Sequence, residues 1–369
     1  MAAGTGSLRV HMTGSEWFTA APGGLNRYFT ELFHALTRRP EVAVSAVAWG
    51  ATGGDHSPGA RSWGAAGGST IRRARVAFLD RAGLRRAAVL DRHFCLYGPA
   101  SIDRRGRLPL VVHFHGPWAA ESRLTGQSEP AAKAKYLIER LRYAGADRFV
   151  VLSNHFREVL GADYRIPDDR IAVIPPGVDL SRFRAAPLPA AAPTRTVLCV
   201  RRLERRMGID TLIRCWPGVA AEHPDARLVI VGTGTAEREL RAQAAGAGLG
   251  DSLVFAGHVA DDRLAELYEQ ASLTVVPTTA LEGFGLIALE SLAAGRAPIV
   301  TDCGGLPDSV RGLDPSLVVP AGAADALGAR ITAALHGALP TPERCRAHAE
   351  TFSWDVAAQR HVAMYRTIA

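Results

Sequence analysis

Two carboxylates, Glu282 and Glu290, stand eight positions apart around the trio Gly283-Phe284-Gly285 in the stretch VVPTTALEGFGLIALE. The leading VVP has the character of a buried strand end, and LIALESLAA that of a helix opening just after the glycines. Glycines let a backbone come close to a ligand, and free N–H groups at a helix start favour an anion such as a diphosphate. Carboxylates accept hydrogen bonds in pairs, which suits vicinal diols. One carboxylate before the helix and one on its first turns can reach a single pocket from neighbouring heights. The bland alternative is a capped helix start whose acidic residues complement the dipole. The glycines, the preceding strand and the turn Asp302-Cys303-Gly304-Gly305 that follows weigh toward a binding site.

Three other stretches could carry chemistry. The segment RRLERRMG, within residues 200–208, places arginines at a strand end, where fixed positive charge can meet a leaving diphosphate. A solvated cluster is its ordinary reading. Gly23-Gly24 follows the first strand and precedes a helix, which is either a plain turn or a ligand loop. His113, Phe114 and His115 close a buried strand, with His113 on the alternate face as a core side chain and His115 free to act. His93 ends an earlier strand and divides evenly between core and site. No D-x-D occurs; Asp168-Asp169 and Asp261-Asp262 are adjacent pairs suited to turns or helix caps. A divalent metal is therefore not required, because a helix N-terminus and arginines can neutralise the charge instead. Gly232-x-Gly234 lacks a third glycine, with Glu237 in its place, and the next strand ends without an acidic residue, which excludes a nicotinamide-cofactor fingerprint.

The elements that must hold these residues alternate along the chain. Apolar, β-branched runs fall at residues 8–12, 42–48, 89–97, 110–113, 148–152 and 171–174. A second set falls at 196–200, 227–231, 253–256, 273–276, 298–301 and 317–319. Amphipathic stretches lie between them at 28–36, 133–143, 209–219, 236–247, 262–270 and 286–294, and Ser353 can cap a last helix reaching Met364. This rhythm predicts an α/β protein of two Rossmann-like, doubly wound parallel-sheet domains, with ligands in a cleft at the carboxyl ends of the strands. Residues 185–194, with three prolines, predict the link, and 50–68, rich in glycine and serine, a surface loop. The expected division is 1–187, 188–352, and a helix over 353–369 crossing back to the first domain.

Composition fits that scheme. The chain has 369 residues and a formal net charge of +7, but its only lysines are Lys133 and Lys135, and its arginines are spread along the chain. Such a bias fits a GC-rich genome and gives no recognition motif for nucleic acid. Cys95, Cys199, Cys215, Cys303 and Cys345 are odd in number and form no C-x-x-C pair, so they predict buried thiols without a disulfide frame or zinc site. The first residues are small and polar, and no apolar run reaches a membrane span, so the expectation is a soluble, cytoplasmic protein.

EGFGLIALE with SLAAGRAPIVTDCGGLPD resembles the signature of the family 4 retaining glycosyltransferases of GT-B fold. APGGLNRYF, HFHGPW, VIPPGVDLSRF, RRLERRMG, VIVGTG and FAGHVADDRLAELY follow in that family's order, so the likeness runs from Val10 to Tyr365. The arginine bias is compatible with an actinobacterial-type member. The resemblance implies that Glu290 binds the nucleotide ribose, and that Glu282 binds the transferred sugar with the backbone of Gly283, Phe284, Gly285 and Leu286. It also implies that Arg202 binds phosphate and that Gly257 and Val259 help hold the base. Gly23 and Gly24 would meet the diphosphate, and His115 the sugar and reacting centre. The family's usual lysine corresponds to Met207 here, so Arg206 is the expected second cation. His115, Glu282, Arg202 and Arg206 are thus the catalytic set, and Asn26, His93, Glu121, Ser153 and Arg157 the acceptor side.

The implied reaction moves a sugar, with retention, from a nucleotide-sugar (a UDP-sugar before others) to an acceptor hydroxyl, with no cofactor and no metal. Family behaviour suggests a same-face substitution in which the leaving phosphate helps take the acceptor proton. The N-terminal half shows no basic amphipathic helix for docking on lipid, which favours a soluble small-molecule or saccharide acceptor in natural-product or saccharide assembly. A lipid-linked or cell-wall acceptor with peripheral membrane contact, and a non-catalytic nucleotide-sugar-binding protein, stay open as alternatives. The sequence leaves oligomeric state undetermined.

Overall fold

The computed structural model describes residues 7–52, 58–103, 106–124, 126–185, 187 and 194–369. Val, Ile and Leu runs make strands that are buried on both faces, as parallel strands flanked by helices must be. In the first unit these are β1 (Leu8–Glu16), β2 (Val42–Trp49), β3 (Ala60–Ser62) and β4 (Val89–Arg92). A short antiparallel hairpin, β5 (Ile102–Asp103) with β6 (Gly106–Arg107), precedes β7 (Leu110–Phe114), β8 (Arg148–Val151) and β9 (Ile171–Val173). The parallel sheet runs β3-β2-β1-β4-β7-β8-β9. Side-chain alternation splits its core. Val89, Val111 and Val150 join one buried cluster, while Leu90, Val112 and Val151 join another on the opposite face. Helices α1 (Gly24–Thr37), α2 (Thr70–Leu79), α3 (Trp118–Leu124), α4 (Glu129–Tyr143) and α5 (Asn154–Tyr164) belong to this unit.

The second unit, Val178–Ser353, carries β10 (Arg195–Val200), β11 (Ala226–Val231), β12 (Leu253–Gly257), β13 (Leu273–Val276), β14 (Pro298–Thr301) and β15 (Val318–Val319). Their order is β12-β11-β10-β13-β14-β15, which, counted from β10, is the 3-2-1-4-5-6 order of a doubly wound sheet. Its helices are α6 (Ile209–Glu222), α7 (Glu237–Gly246), α8 (Asp261–Gln270), α9 (Leu286–Ala293), α10 (Ala324–Leu335) and α11 (Pro342–Glu350). Val197, Cys199, Val275 and Ile299 point into one core with α6 and α10. Thr274 points the other way, where its hydroxyl donates to Ser291 of α9 at 2.7 Å. Helix α9 is nearly all apolar because it lies against the sheet beneath α11, and Ala288 through Ala293 are buried.

The final helix, α12 (Trp354–Arg366), packs in the first unit, which comprises Met1–Gly177 with Trp354–Ala369. Its Trp354, Ala357, Ala358, Val362 and Tyr365 join the cluster formed by α1, β1 and β2.

Several elements differ from expectation. The first unit ends at Gly177, ahead of the proline-rich segment, and residues 186 and 188–193 of that segment lie outside the described residues. The glycine-rich 50–68 region contributes β3, which pairs beside β2 through Ala46 and Ala60; residues 53–57 lie outside the described residues. Strand β4 stops at Arg92 instead of running to Tyr97, since the chain turns where the Tyr97 amide donates to the Phe94 carbonyl. Helices α2 and α4 leave Ile71, Phe78, Leu79, Leu137 and Leu141 exposed beside basic residues, so this half does carry amphipathic basic helices. No helix among the described residues is long and apolar enough to cross a membrane. Four of the five cysteines are buried, and all five are free thiols.

Candidate functional site

In a doubly wound sheet the crevice for ligands opens where strand order reverses, beside the first strand of the unit. In the second unit that point lies between β10 and β13, paired through Val197 with Leu273 and Leu198 with Thr274. The loops leaving these two strands carry RRLERR and PTTALEGFG. They bring together a carboxylate and a guanidinium that the sequence alone does not couple. Arg201 donates from Nη2 to Glu282 Oε2 and to the Thr278 hydroxyl. Thr301, at the end of β14, donates from Oγ1 to the Thr278 carbonyl at 2.5 Å, and the Gly305 amide donates to the Glu282 carbonyl at 2.9 Å. The ends of three adjacent strands are thereby tied to the loop that carries this carboxylate.

Gly285 caps α9 in the left-handed region, at φ +89°, and a Cβ there would fall 2.4 Å from Leu306 Cδ2. A side chain is excluded on both counts, and the first amides of α9 precede any acceptor within their own helix. Glu290, on the second turn, is only 6% exposed, and Tyr268 donates from its hydroxyl to Oε2 at 3.1 Å. Phe284 is buried and packs against Phe352, while Gly283 and Leu286 are half-buried.

Arg206 donates from Nη1 to the carbonyls of Leu281, at 3.0 Å, and Ala280, at 3.4 Å, so it clamps the loop that leads into Glu282. Met207 points into the core with Leu203 and Ile209. Arg202 is exposed at the end of β10. Gly257 ends β12, and Val259, half-buried, follows just before α8. Arg201 is the residue that sequence reasoning missed. Its only local signal is position, because consecutive residues leaving a strand face opposite ways.

The first unit gathers a different set beside its own switch point, between β1 and β4. Asp91 of β4 is fully buried and accepts a hydrogen bond from the Tyr365 hydroxyl of α12. His113 Nε2 lies 2.9 Å and His93 Nε2 3.4 Å from its oxygens. The rings of His93 and His113 stack at 3.7 Å, His115 lies 5.8 Å from each, and His361 of α12 stacks on His113 at 5.3 Å. His115, half-buried, also meets the edge of Tyr28 at 5.0 Å, and its Nε2 finds no hydrogen-bond partner among the described residues. One nitrogen each from His93, His113 and His115 lies within 4.8 Å of the other two, a spacing that could admit a metal ion. The three rings are near-parallel, with interplanar angles of 17° to 25°.

Burial drives His11, His113 and His361 down to about 4 from an ordinary 6.5, so all three are neutral imidazoles at neutral pH. Between pH 6.5 and 4 the unfolded chain takes up protons at these rings and the folded chain does not. Stability present above pH 6.5 is therefore lost progressively as pH falls toward 4, by on the order of 2 kcal/mol per histidine at pH 5. Thermal unfolding followed by near-ultraviolet circular dichroism should show a midpoint nearly level from pH 7.5 to about 6.5 and falling steadily from there to 4.5. A flat profile across that range would contradict the burial of neutral rings.

The remaining expected residues have local partners. Asn26 is buried, accepting from the Glu16 amide at 3.3 Å and donating to the Ala21 carbonyl at 2.8 Å, which staples the loop before α1. Gly23 and Gly24 are exposed at the start of that helix. Ser153 is the N-cap of α5, accepting from the Phe156 amide at 3.3 Å, and Arg157 is paired with Asp168. Glu121 is exposed on α3. For Ser153 and Arg157 these contacts are structural in kind.

Comparison with known proteins places the chain. Residues 22–182 match the family described as Glycosyltransferase Family 4, and residues 184–352 match that described as Glycosyl transferases group 1. The D-inositol 3-phosphate glycosyltransferase of Acidothermus cellulolyticus is 32% identical over 75% of this chain and 66% of its own length. That of Thermobispora bispora is 32% identical over 75% of this chain and 70% of its own. The chain thus spans just under two thirds of the first of these relatives. In fold it resembles HepE of Anabaena in complex with UDP and glucose, with a TM-score of 0.75 at 16% identity, covering 98% of this chain and 100% of that one. With two doubly wound parallel-sheet units and matches running from residue 22 to 352, the chain belongs to the family 4 glycosyltransferases of GT-B fold.

Proposed function

We propose that this protein transfers a sugar from a nucleotide-sugar, a UDP-sugar before others, to an acceptor hydroxyl, with retention and without a metal. The observation that carries the reading is the convergence of Glu282, Glu290, the arginine loop and the α9 N-terminus at the switch point of the second sheet. Glu290 takes the ribose diol, Glu282 the sugar hydroxyls, and Gly257 with Val259 the base. Arg202, Arg206 and the amides from Gly283 to Leu286 stabilise charge on the leaving diphosphate, the largest single contribution expected.

In the reacting step the bond from the anomeric carbon to the diphosphate oxygen breaks. The acceptor oxygen bonds to that carbon on the same face, and its proton passes to a leaving phosphate oxygen. His115 is assigned to the transferred sugar and the reacting centre, and the acceptor to the first unit. The relatives' names make a polyol phosphate such as inositol 3-phosphate the first acceptor class to try, in cytoplasmic saccharide or natural-product assembly.

Turnover with a panel of UDP-, GDP- and dTDP-sugars tests the reading. Glu282→Ala and Arg202→Ala should each lower kcat/KM about 100-fold for the donor that wild type uses. Undiminished turnover in both variants would sink the site assignment. Loss of activity with a chelator would sink the metal-free reaction, and donor binding without turnover of any acceptor would favour a binding protein.

A further inference from the structure

Among the described residues Arg201 is the one guanidinium paired with the Glu282 carboxylate, and it is more enclosed than its partner, at 8% side-chain exposure against 15%. Its backbone is held from two sides. The Arg201 amide donates to the Val231 carbonyl at 2.9 Å, and its own carbonyl lies 1.9 Å from where a Cβ on Gly232 would stand. Gly232 itself sits at φ +134°, so only glycine lets β11 leave the sheet this close to Arg201. Thr278, fully buried, receives a second hydrogen bond from the same Nη2. A guanidinium with its main chain locked and its tip shared between a hydroxyl and a carboxylate has little freedom left. The carboxylate it grips is fixed with it.

We propose that Arg201 is the positioning residue for Glu282, holding that carboxylate in the single orientation that meets the donor sugar. The inference rests on the functional reading above and deepens it. The engaged atom is Oε2, which leaves Oε1 to accept from a sugar hydroxyl. Because Arg201 acts through a group that touches only the sugar, its loss must be felt by the sugar half of the donor and not by the nucleotide half. A cation that gripped the diphosphate itself would be felt by both.

Calorimetric titration separates these cases, using UDP-glucose or GDP-mannose, whichever wild type binds, and the matching bare UDP or GDP. Arg201→Met should weaken the nucleotide-sugar about tenfold or more, the scale of a charge-assisted hydrogen bond, while the bare nucleotide stays within about twofold. Arg201→Lys should recover part of the loss. In a Glu282→Gln background Arg201→Met should add little, because the two changes remove one interaction. Thr278→Val, which keeps every charge, should shift sugar-nucleotide affinity in the same direction by about threefold and serves if Arg201→Met fails to fold. Equal weakening of nucleotide and nucleotide-sugar, or no change in either, would overturn the proposal while leaving the donor site intact. A folded wild type that binds none of a panel of UDP-, GDP- and dTDP-sugars would instead bring down the functional reading, and this inference with it.

Discussion

Replacing Glu290 with alanine should lower kcat/KM for the nucleotide-sugar by on the order of 100-fold, a loss as large as those expected at Glu282 and Arg202. A carboxylate taking a ribose diol makes charge-assisted hydrogen bonds worth about 1.5–3 kcal/mol each, and two of them account for a loss of that size. Glu290 is held for the task, because α9 is locked by its apolar neighbours and the Tyr268 hydroxyl fixes Oε2. That same contact supplies a rival explanation, in which the carboxylate merely satisfies a buried tyrosine. Tyr268→Phe separates the two. It removes the tyrosine's hydrogen bond and keeps the carboxylate, so activity should fall only several-fold and melting temperature by a few degrees. If Glu290 only supported Tyr268, both variants would lose stability and neither would lose donor affinity. Wild-type KM for donor in a folded Glu290→Ala variant would remove Glu290 from the site.

Much of this arrangement is legible in the sequence because the second unit is locally consistent. Strands β13 and β14 begin and end where their apolar runs do, and the glycines before α9 announce a tight approach of backbone. Other elements hide for identifiable reasons. Helix α10 is rich in alanine, so its apolar period is faint until packing against α6 defines it. Helix α11 is short and opens with Thr341 and Pro342, a cap signal with no strong apolar face behind it. Ser153 looks like a polar residue awaiting a ligand, yet its hydroxyl belongs to the start of α5, an unanticipated helix.

Within the site, the difficulty is one of side. Arg201 and Arg202 are indistinguishable as letters, and strand geometry sends one to Glu282 and leaves the other exposed. Family likeness singles out Arg202, whereas the contact with Thr278 and Glu282 exists only once β10 and β13 are neighbours. The buried group in the first unit is farther from reach still. Asp91 and its donor Tyr365 are 274 positions apart, and no local pattern can join them.

Burial of that group makes Asp91 a residue whose loss should cost the fold heavily. Asp91→Ala leaves the Tyr365 hydroxyl, His93 and His113 facing a cavity, all buried, in a cluster completed by α12. The expected cost is about 3 kcal/mol or more, since buried donors lose an acceptor that water cannot replace. Tyr365→Phe should cost less, about 1–2 kcal/mol, because the carboxylate keeps its contact with the imidazoles. The double variant should cost less than the sum, as two changes in one hydrogen-bonded group do. Asp91→Asn, which preserves shape and one acceptor, should fall between. Urea unfolding followed by tryptophan fluorescence measures all four, with Trp354 at the start of α12 reporting on the first unit. A loss under about 1 kcal/mol for Asp91→Ala would mean that the carboxylate's desolvation nearly cancels its hydrogen bonds, as it can for buried ionic groups. In that event the cluster would be kept for something other than stability, and His115 at its edge would be the residue to follow.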